Sequence, residues 1–208
     1  PIQLTIDRIR NKYSDQINED NKIAFKDNLK IINNQIKQIE KLVNDFSDFA
    51  RMPKPVLINN DLTSIIKDNI NLLKQIDTSI EFNFIKNKDK ILLNSDKEQI
   101  SRVFLNLIKN SIESIQEKEQ KSPNIVKNIS IELIDTDNHI KSIIKDTGVG
   151  FKNINDNIKD ILNPYFTTKK NGTGLGLSIV NKIINDHNGS INFNSTNKGA
   201  KIEIIFSK

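Results

Sequence analysis

The apolar residues near the start of the chain recur in steps of three and four. Ile2, Ile6, Ile9 and Tyr13 form one series, and Phe25, Leu29, Ile32, Ile36, Ile39, Val43 and Phe46 form a second. Such alternation keeps one stripe of a helix turned toward a neighbouring helix. Between the series, Asn18 to Asn21 are polar and predict a turn. The pattern predicts a helical hairpin over residues 1–52. Pro1 falls inside the first apolar stripe, so we expect a piece of a longer protein whose first helix begins upstream. A hairpin with one apolar stripe on each arm buries both poorly by itself. Pairing two hairpins into a four-helix bundle solves this; the alternative is a lone hairpin lying on the following domain. Met52-Pro53-Lys54-Pro55 ends the second helix, because prolines this close forbid its continuation. A linker is therefore placed at 53–55 and a second domain at 56–208.

From Val56 the pattern is mixed. Asp61 is placed to cap a helix running to about Gln75. Ile80 to Ile85 alternates as a strand, and Ile91 to Leu93 is a shorter one. Ser95-Asp96-Lys97-Glu98 reads as a capping box opening a long helix. Ile100, Val103, Phe104, Leu107, Ile108, Ile112 and Ile115 form its apolar face. Ile129 to Ile134 and Ile140 to Ile144 are predicted strands, Leu175 to Asn185 a helix, and Ile191 to Asn194 and Lys201 to Phe206 the last strands. Strands and helices in this order predict an α+β protein: the helical hairpin, then an α/β sandwich of one mixed sheet with helices on one face.

Composition narrows the function. Hydrophobic residues make up 36% and charged residues 27% of the 208, which is a globular rather than a disordered balance. The net charge of +5 invites a nucleic-acid reading, but the lysines are scattered among Asp and Glu without a dense basic block. No nucleic-acid partner is expected. There is no Cys, which excludes disulfides and thiolate metal sites. No apolar run reaches the roughly 18 residues of a membrane span, so no direct membrane contact is expected from this stretch.

Four segments carry candidate chemistry. On the helix opening at Ser95, Gln99, Arg102, Asn106, Asn110 and Glu113 share one polar flank. Asn106 and Asn110 are i, i+4 neighbours whose amides can reach one site, and an amide oxygen is a neutral hard donor suited to Mg²⁺. Asp146-Thr147-Gly148-Val149-Gly150 follows an apolar strand. Its carboxylate can only accept hydrogen bonds, which matches an exocyclic amine, and its glycines let backbone approach a flat ligand. Gly172-Thr173-Gly174-Leu175-Gly176 opens a helix and frees backbone N–H groups for an anion. It lacks the Gly-Lys-Ser/Thr ending of a P-loop and follows no strand, so it is neither that motif nor a dinucleotide fingerprint. Asn163 to Lys170 lies in a polar stretch beginning near Lys152 and is a candidate lid, with Phe166 as anchor and Lys169 toward a terminal phosphate. Each segment also has a plain reading as a solvated flank, turn or loop.

In this order and at these spacings the segments resemble the ATP-binding domain of histidine kinases, whose fold is shared with the gyrase, Hsp90 and MutL ATPases. Asn106 to Asn110 is similar to the N box, Asp146 to Gly150 to the G1 box, Pro164 to Lys169 to the F box and Gly172 to Gly176 to the G2 box. Gly199-Ala200-Lys201 resembles the last glycine box, with Ala200 where a hydroxyl residue is common. Pro1 to Leu4 and Phe46 to Pro53 resemble the dimerisation hairpin of nitrogen-regulation sensor kinases. The resemblance implies ATP and Mg²⁺ as cofactors. It implies nucleotide contacts from Asn106, Asn110, Asp146, Gly148, Gly150, Phe166, Thr168, Lys169, Gly172, Thr173, Gly174, Leu175 and Gly176, with Asn110 on the metal and Asn106 and Lys169 assisting transfer. It further implies a homodimer through the hairpin, a response-regulator receiver domain as partner, and a cytoplasmic location as part of an inner-membrane sensor. In that subfamily the phosphorylated His precedes a segment like Pro1 to Leu4. His139 and His187 do not replace it, so this stretch alone is not expected to autophosphorylate. An ATP-hydrolysing relative would carry a Glu at the first N-box position, where this chain has Asn106. A silent dimerisation module would lack the nucleotide-site residues.

Overall fold

The computed structural model describes residues 2–14, 16–151, 158–169 and 172–208. The chain divides into two compact units, Pro1–Met52 with Thr168–Thr173, and Pro53–Thr167 with Gly174–Lys208.

In the first unit, α1 (Ile2–Tyr13) and α2 (Glu19–Ala50) form a hairpin. The turn predicted at Asn18 to Asn21 does not extend past Asn18, because the helical backbone already starts at Glu19. Ile6 and Leu29 are the buried apolar residues of the pair, and the Gln3 side-chain amide donates to Asn33 Oδ1 at 3.1 Å. Phe25 and Ile36 are half-buried, and the end of the predicted stripe stays open: Ile39 is 60% exposed, Val43 59% and Phe46 49%.

The second unit is built on a five-stranded mixed sheet. Its strands are β2 (Glu81–Lys86), β4 (Asn128–Asp135), β5 (His139–Asp146), β6 (Gly189–Ser195) and β7 (Ala200–Ser207), in the spatial order β2-β4-β5-β7-β6. Only β2 and β4 run parallel, joined by a crossover through the long helix α4 (Lys97–Lys121). Along β4, Ile129, Ile131 and Leu133 are buried while the residues between them are half-buried, and Ala200, Ile202, Ile204 and Phe206 repeat this on β7. One face of the sheet is therefore covered, by α3 (Leu62–Leu73), α4 and α5 (Gly176–Asp186). The core lies where Ile100, Val103, Phe104, Leu107, Ile108 and Ile115 of α4 meet that face, all at 0% exposure.

Two details differ from the sequence reading. Residues Ile58–Asp61 form an additional strand, β1, which pairs antiparallel with β3 (Leu92–Ser95) in a separate two-stranded sheet. Its burial pattern is exposed and half-buried, so no apolar alternation announces it. The cap of α4 is Asp96 rather than Ser95. The Asp96 carboxylate accepts from the backbone N–H of Glu98 and Gln99, while the Ser95 hydroxyl donates to the Leu93 carbonyl. Asp61 caps α3 as predicted, accepting from Thr63 N–H at 3.0 Å.

Candidate functional site

Strand β5 carries Asp146 at its end, on the covered face of the sheet opposite Ile129. One of its oxygens, Oδ1, accepts two backbone hydrogen bonds, from Gly148 N–H at 3.0 Å and Ala200 N–H at 3.1 Å. A Cβ at Gly199 would collide with the main chain and carboxyl of Asp146, so only glycine lets the turn before β7 close on this carboxylate. The last glycine segment therefore acts through its backbone, and the missing hydroxyl at Ala200 does not disturb that. Burial raises the Asp146 pKa above its ordinary value. The N–H groups of Ala200 and Gly148, the Ser111 hydroxyl and the Lys118 charge oppose the rise without cancelling it.

The loop after Asp146 is fixed by α4. Ser114 Oγ accepts from Val149 N–H at 3.1 Å, and Lys118 Nζ donates to the carbonyls of Thr147 and Lys198 at 2.8 Å each. Thr147 ties the loop to β4, donating to the Val126 carbonyl and accepting from Asn128 N–H. Gly150 has φ +67, a left-handed conformation that disfavours a side chain. Beyond it, Phe151 N–H donates to Ser195 Oγ and its ring meets Phe193 edge-on at 5.8 Å. An open cavity of about 610 Å³ beside this loop is lined by Lys118, Ile125, Asn128, Lys145, Asp146 and Thr147 among others. Of the predicted ligand residues it holds only Asp146.

The polar flank of α4 carries the predicted amides. Asn106 Nδ2 donates to the Arg102 carbonyl one turn back at 3.0 Å. This leaves Oδ1 directed toward the start of α5, 3.6 Å from where a Cβ on Gly176 would lie. Asn110 is half-buried one turn further along. Among the described residues there is no cluster of three or more His, Cys, Asp or Glu side chains able to cage a metal. The donor set therefore fits a cation that takes most of its ligands from phosphates and water, with an amide oxygen or two from the protein.

At the opening of α5, Gly174 has φ +69, and its carbonyl accepts from Tyr165 N–H at 3.0 Å. Leu175 is fully buried, and its carbonyl accepts from Ile179 N–H and the Ser178 hydroxyl. Phe166 is 37% exposed, and the segment's buried residue is instead Ile161, in a short 3₁₀ turn at Ile158–Leu162. Thr168, Lys169, Gly172 and Thr173 belong to the first compact unit. There Gly172 N–H donates to the Lys169 carbonyl, and the Thr173 hydroxyl donates to Asp45 of α2 at 2.8 Å. Lys170, Asn171 and the part of the candidate lid at 152–157 lie outside the described residues.

Both histidines lie in the second compact unit. The ring of His187 is 6% exposed, with Nε2 accepting from Asp96 N–H at 3.0 Å and Nδ1 donating to the Ile183 carbonyl at 2.8 Å. It pins the end of α5 to the start of α4. His139 Nδ1 lies 3.1 Å from the Thr136 hydroxyl in the β4–β5 turn.

Sequence reasoning singled out Asp146, the asparagine pair and the glycine segments. It missed Ser111, Ser114 and Lys118, which turn one face of α4 toward the Asp146 loop. Their i, i+3, i+7 spacing was the available signal, but two serines and a lysine on a helix also read as solvent-facing.

A sheet covered on one face by helices, with a buried carboxylate at a strand end and amides on the adjacent helix, defines a nucleotide-binding α+β sandwich. The chain belongs to the histidine kinase-, DNA gyrase B- and HSP90-like ATPase family, whose model matches residues 95–208. ATP is the nucleotide of this family. The chain is 33% identical over 207 residues to an NtrY-like sensor histidine kinase of Rickettsia prowazekii, covering 99% of this chain and 33% of that protein. It thus spans about a third of the length of such relatives. Among solved structures it is similar to the nucleotide-free catalytic domain of the histidine kinase ThkA, at 26% identity and TM-score 0.62, covering 74% of this chain and 96% of that one. ThkA in complex with the response regulator TrrA shares the fold over 98% of this chain and 57% of that one, at 22% identity and TM-score 0.71. Among the described residues no helix is long and apolar enough to cross a membrane.

Proposed function

We propose that this chain is the ATP- and Mg²⁺-binding catalytic part of a two-component sensor histidine kinase, acting as a homodimer. The observation that carries the reading is the seat of Asp146: a buried carboxylate at a strand end with Oδ1 held by two backbone N–H groups. Asp146 accepts the exocyclic amine of adenine, with Gly148 and Gly150 allowing the loop to approach the base. Asn110, with Asn106 beside it, presents amide oxygen toward Mg²⁺ on the phosphates. When bound, Mg²⁺ neutralises phosphate charge and favours displacement at the terminal phosphorus. The backbone at Gly172, Thr173, Gly174, Leu175 and Gly176 surrounds the phosphates, Phe166 and Thr168 border them, and Lys169 stabilises charge on the γ-phosphate. Such chemistry asks mainly for positioning and charge stabilisation.

The acceptor is a histidine on the dimerisation helix, upstream of the residues present here, and a receiver domain takes the phosphoryl group next. The neutral Asn106 amide is anchored to the Arg102 carbonyl and cannot take a proton from water, so hydrolysis is slow relative to transfer. The likeness to NtrY-like sensor kinases supports a location in the cytoplasmic part of a membrane-bound sensor. The test uses γ-labelled ATP with two proteins, the 208-residue chain and the same chain extended upstream through the acceptor histidine. The extended chain is expected to gain acid-labile, base-stable label and the shorter chain none. Label on the shorter chain alone would make His139 or His187 an acceptor and overturn this assignment.

A further inference from the structure

We infer that the open cavity at one end of the sheet is a second ligand site, taking a small organic anion: an acidic group carried on an apolar body. The cavity, of about 610 Å³, lies where β4 begins, β5 ends and β6 turns into β7. Its volume falls within the roughly 300–1,000 Å³ usual for small-molecule sites. None of Asn106, Asn110, Gly148 and Gly150 lines it. Ser130 and Lys145 do, and they pair in register on the face of the sheet that the helices leave open. The Asp146 side chain turns the other way, to the covered face. The inference therefore does not depend on the nucleotide reading.

The walls define the ligand's chemistry. Ile125 and Val126 supply apolar surface, and Val126 is 75% exposed. An exposed valine alone needs no explanation. This one shares a cavity with Lys118, Lys145 and Lys198. Other lysines on the open sheet face are neutralised, since Lys141 and Lys201 both pair with Glu203, at 2.9 and 3.1 Å. Lys145 lies opposite Lys201 in register yet, like Lys198, makes no ion pair among the described residues. Lys118 is fixed by the carbonyls of Thr147 and Lys198 and keeps a third N–H. The one carboxylate among the lining residues, Asp146, has Oδ1 held by backbone N–H groups. Asn128 and Ser130 are half-buried, form no side-chain hydrogen bond to a described residue, and add neutral donors. A cation would meet three positive charges here, and a purely apolar molecule would cover polar groups without pairing them. A ring or alkyl body against Val126, with a carboxylate, sulfonate or phosphate beside Lys145 and Lys198, satisfies both walls.

The experiment titrates the isotope-labelled 208-residue chain with naphthalene-2-sulfonate and follows the backbone amide resonances. Three comparison ligands separate the contributions: 2-naphthalenemethanol has the ring without the charge, sulfate the charge without the ring, and 2-naphthylmethylammonium the opposite charge. Saturable shifts are expected at the amides of Val126, Thr147 and Lys198, and each comparison ligand is expected to bind more weakly than the sulfonate. Lys145→Gln combined with Lys198→Gln should weaken the sulfonate by roughly three- to tenfold. Both side chains are exposed, so the fold is retained, and the amide spectrum of the variant checks this. Val126→Asp, which sets a carboxylate into the apolar wall, should abolish saturation over the same concentrations. Shifts centred on other residues, an alcohol that binds as tightly as the sulfonate, or an affinity unchanged in either variant would overturn the site.

Discussion

At the scale of residues, the site concentrates an unfavourable choice in Asp146. Burial raises its pKa, so in the folded chain it ionises later than in the unfolded chain, where the value is near 3.8. The folded form holds the proton longer, and stability falls as pH rises from the unfolded value through the folded one, then levels. Under the proposed role of Asp146, binding has the opposite sign, because an ionised carboxylate is the better acceptor for an amine. ADP affinity of the wild-type chain, divided by that of Asp146→Asn, is expected to rise with pH through a midpoint above 3.8. A calorimetric series at stepped pH measures this, and a ratio independent of pH contradicts it. The sequence exposed Asp146 because a carboxylate before Gly-Val-Gly is conspicuous. It hid the seat, since Gly199 and Ala200 lie 53 and 54 positions further on and act through backbone atoms.

At the scale of elements, α4 holds the site together, and its start is secured by Asp96. Burial would raise the Asp96 carboxyl, but N–H groups of Gln99, Val56 and Glu98 outweigh it and hold the pKa below the usual value. For a lowered carboxylate, the stabilisation is present above the unfolded pKa and lost as pH falls through the folded one. Asp96→Ala is expected to cost about 1–2 kcal/mol in urea unfolding near neutral pH. The deficit should shrink on acidification below about pH 4, where the wild type loses its cap charge. An undiminished deficit in acid would show that the carboxylate charge is not what stabilises the cap. The apolar faces of α4 and α5 were legible because their period of 3.6 runs long and unbroken. Strand β1 was not, because Ile58 to Asp61 pairs through its backbone while its side chains stay exposed or half-buried. Ser95 and Asp96 are adjacent and both chemically able to cap, so local sequence could not choose between them. The choice is tertiary: Ser95 is fully buried in β3.

At the scale of the molecule, the hairpin leaves an apolar stripe open on α2, with Ile39, Val43 and Phe46 about half exposed or more. A second copy offers the same stripe, and a closed symmetric pairing buries both. Ile36→Asp combined with Ile39→Asp is expected to convert a dimer to a monomer in light scattering. A wild-type chain that stays monomeric at high concentration contradicts the bundle. The sequence reading puts the boundary at Pro53 to Pro55, and the compact units divide between Met52 and Pro53. That Thr168–Thr173 groups with the hairpin was not legible, since nothing local to Lys169 or Thr173 points to Asp45, 128 positions away. We propose that this chain binds Mg²⁺-ATP through Asp146 and the asparagine pair. Calorimetric titration of ATP with and without Mg²⁺ tests it most directly, on the wild-type chain, Asp146→Asn and Asn110→Ala. Oδ1 takes two backbone N–H groups, so an Asn at 146 turns its own NH₂ to the base. The expected loss is roughly ten- to a hundredfold with or without metal, whereas Asn110→Ala should lose affinity chiefly when Mg²⁺ is present. Unchanged affinity in Asp146→Asn, or equal losses for Asn110→Ala with and without metal, would contradict the account.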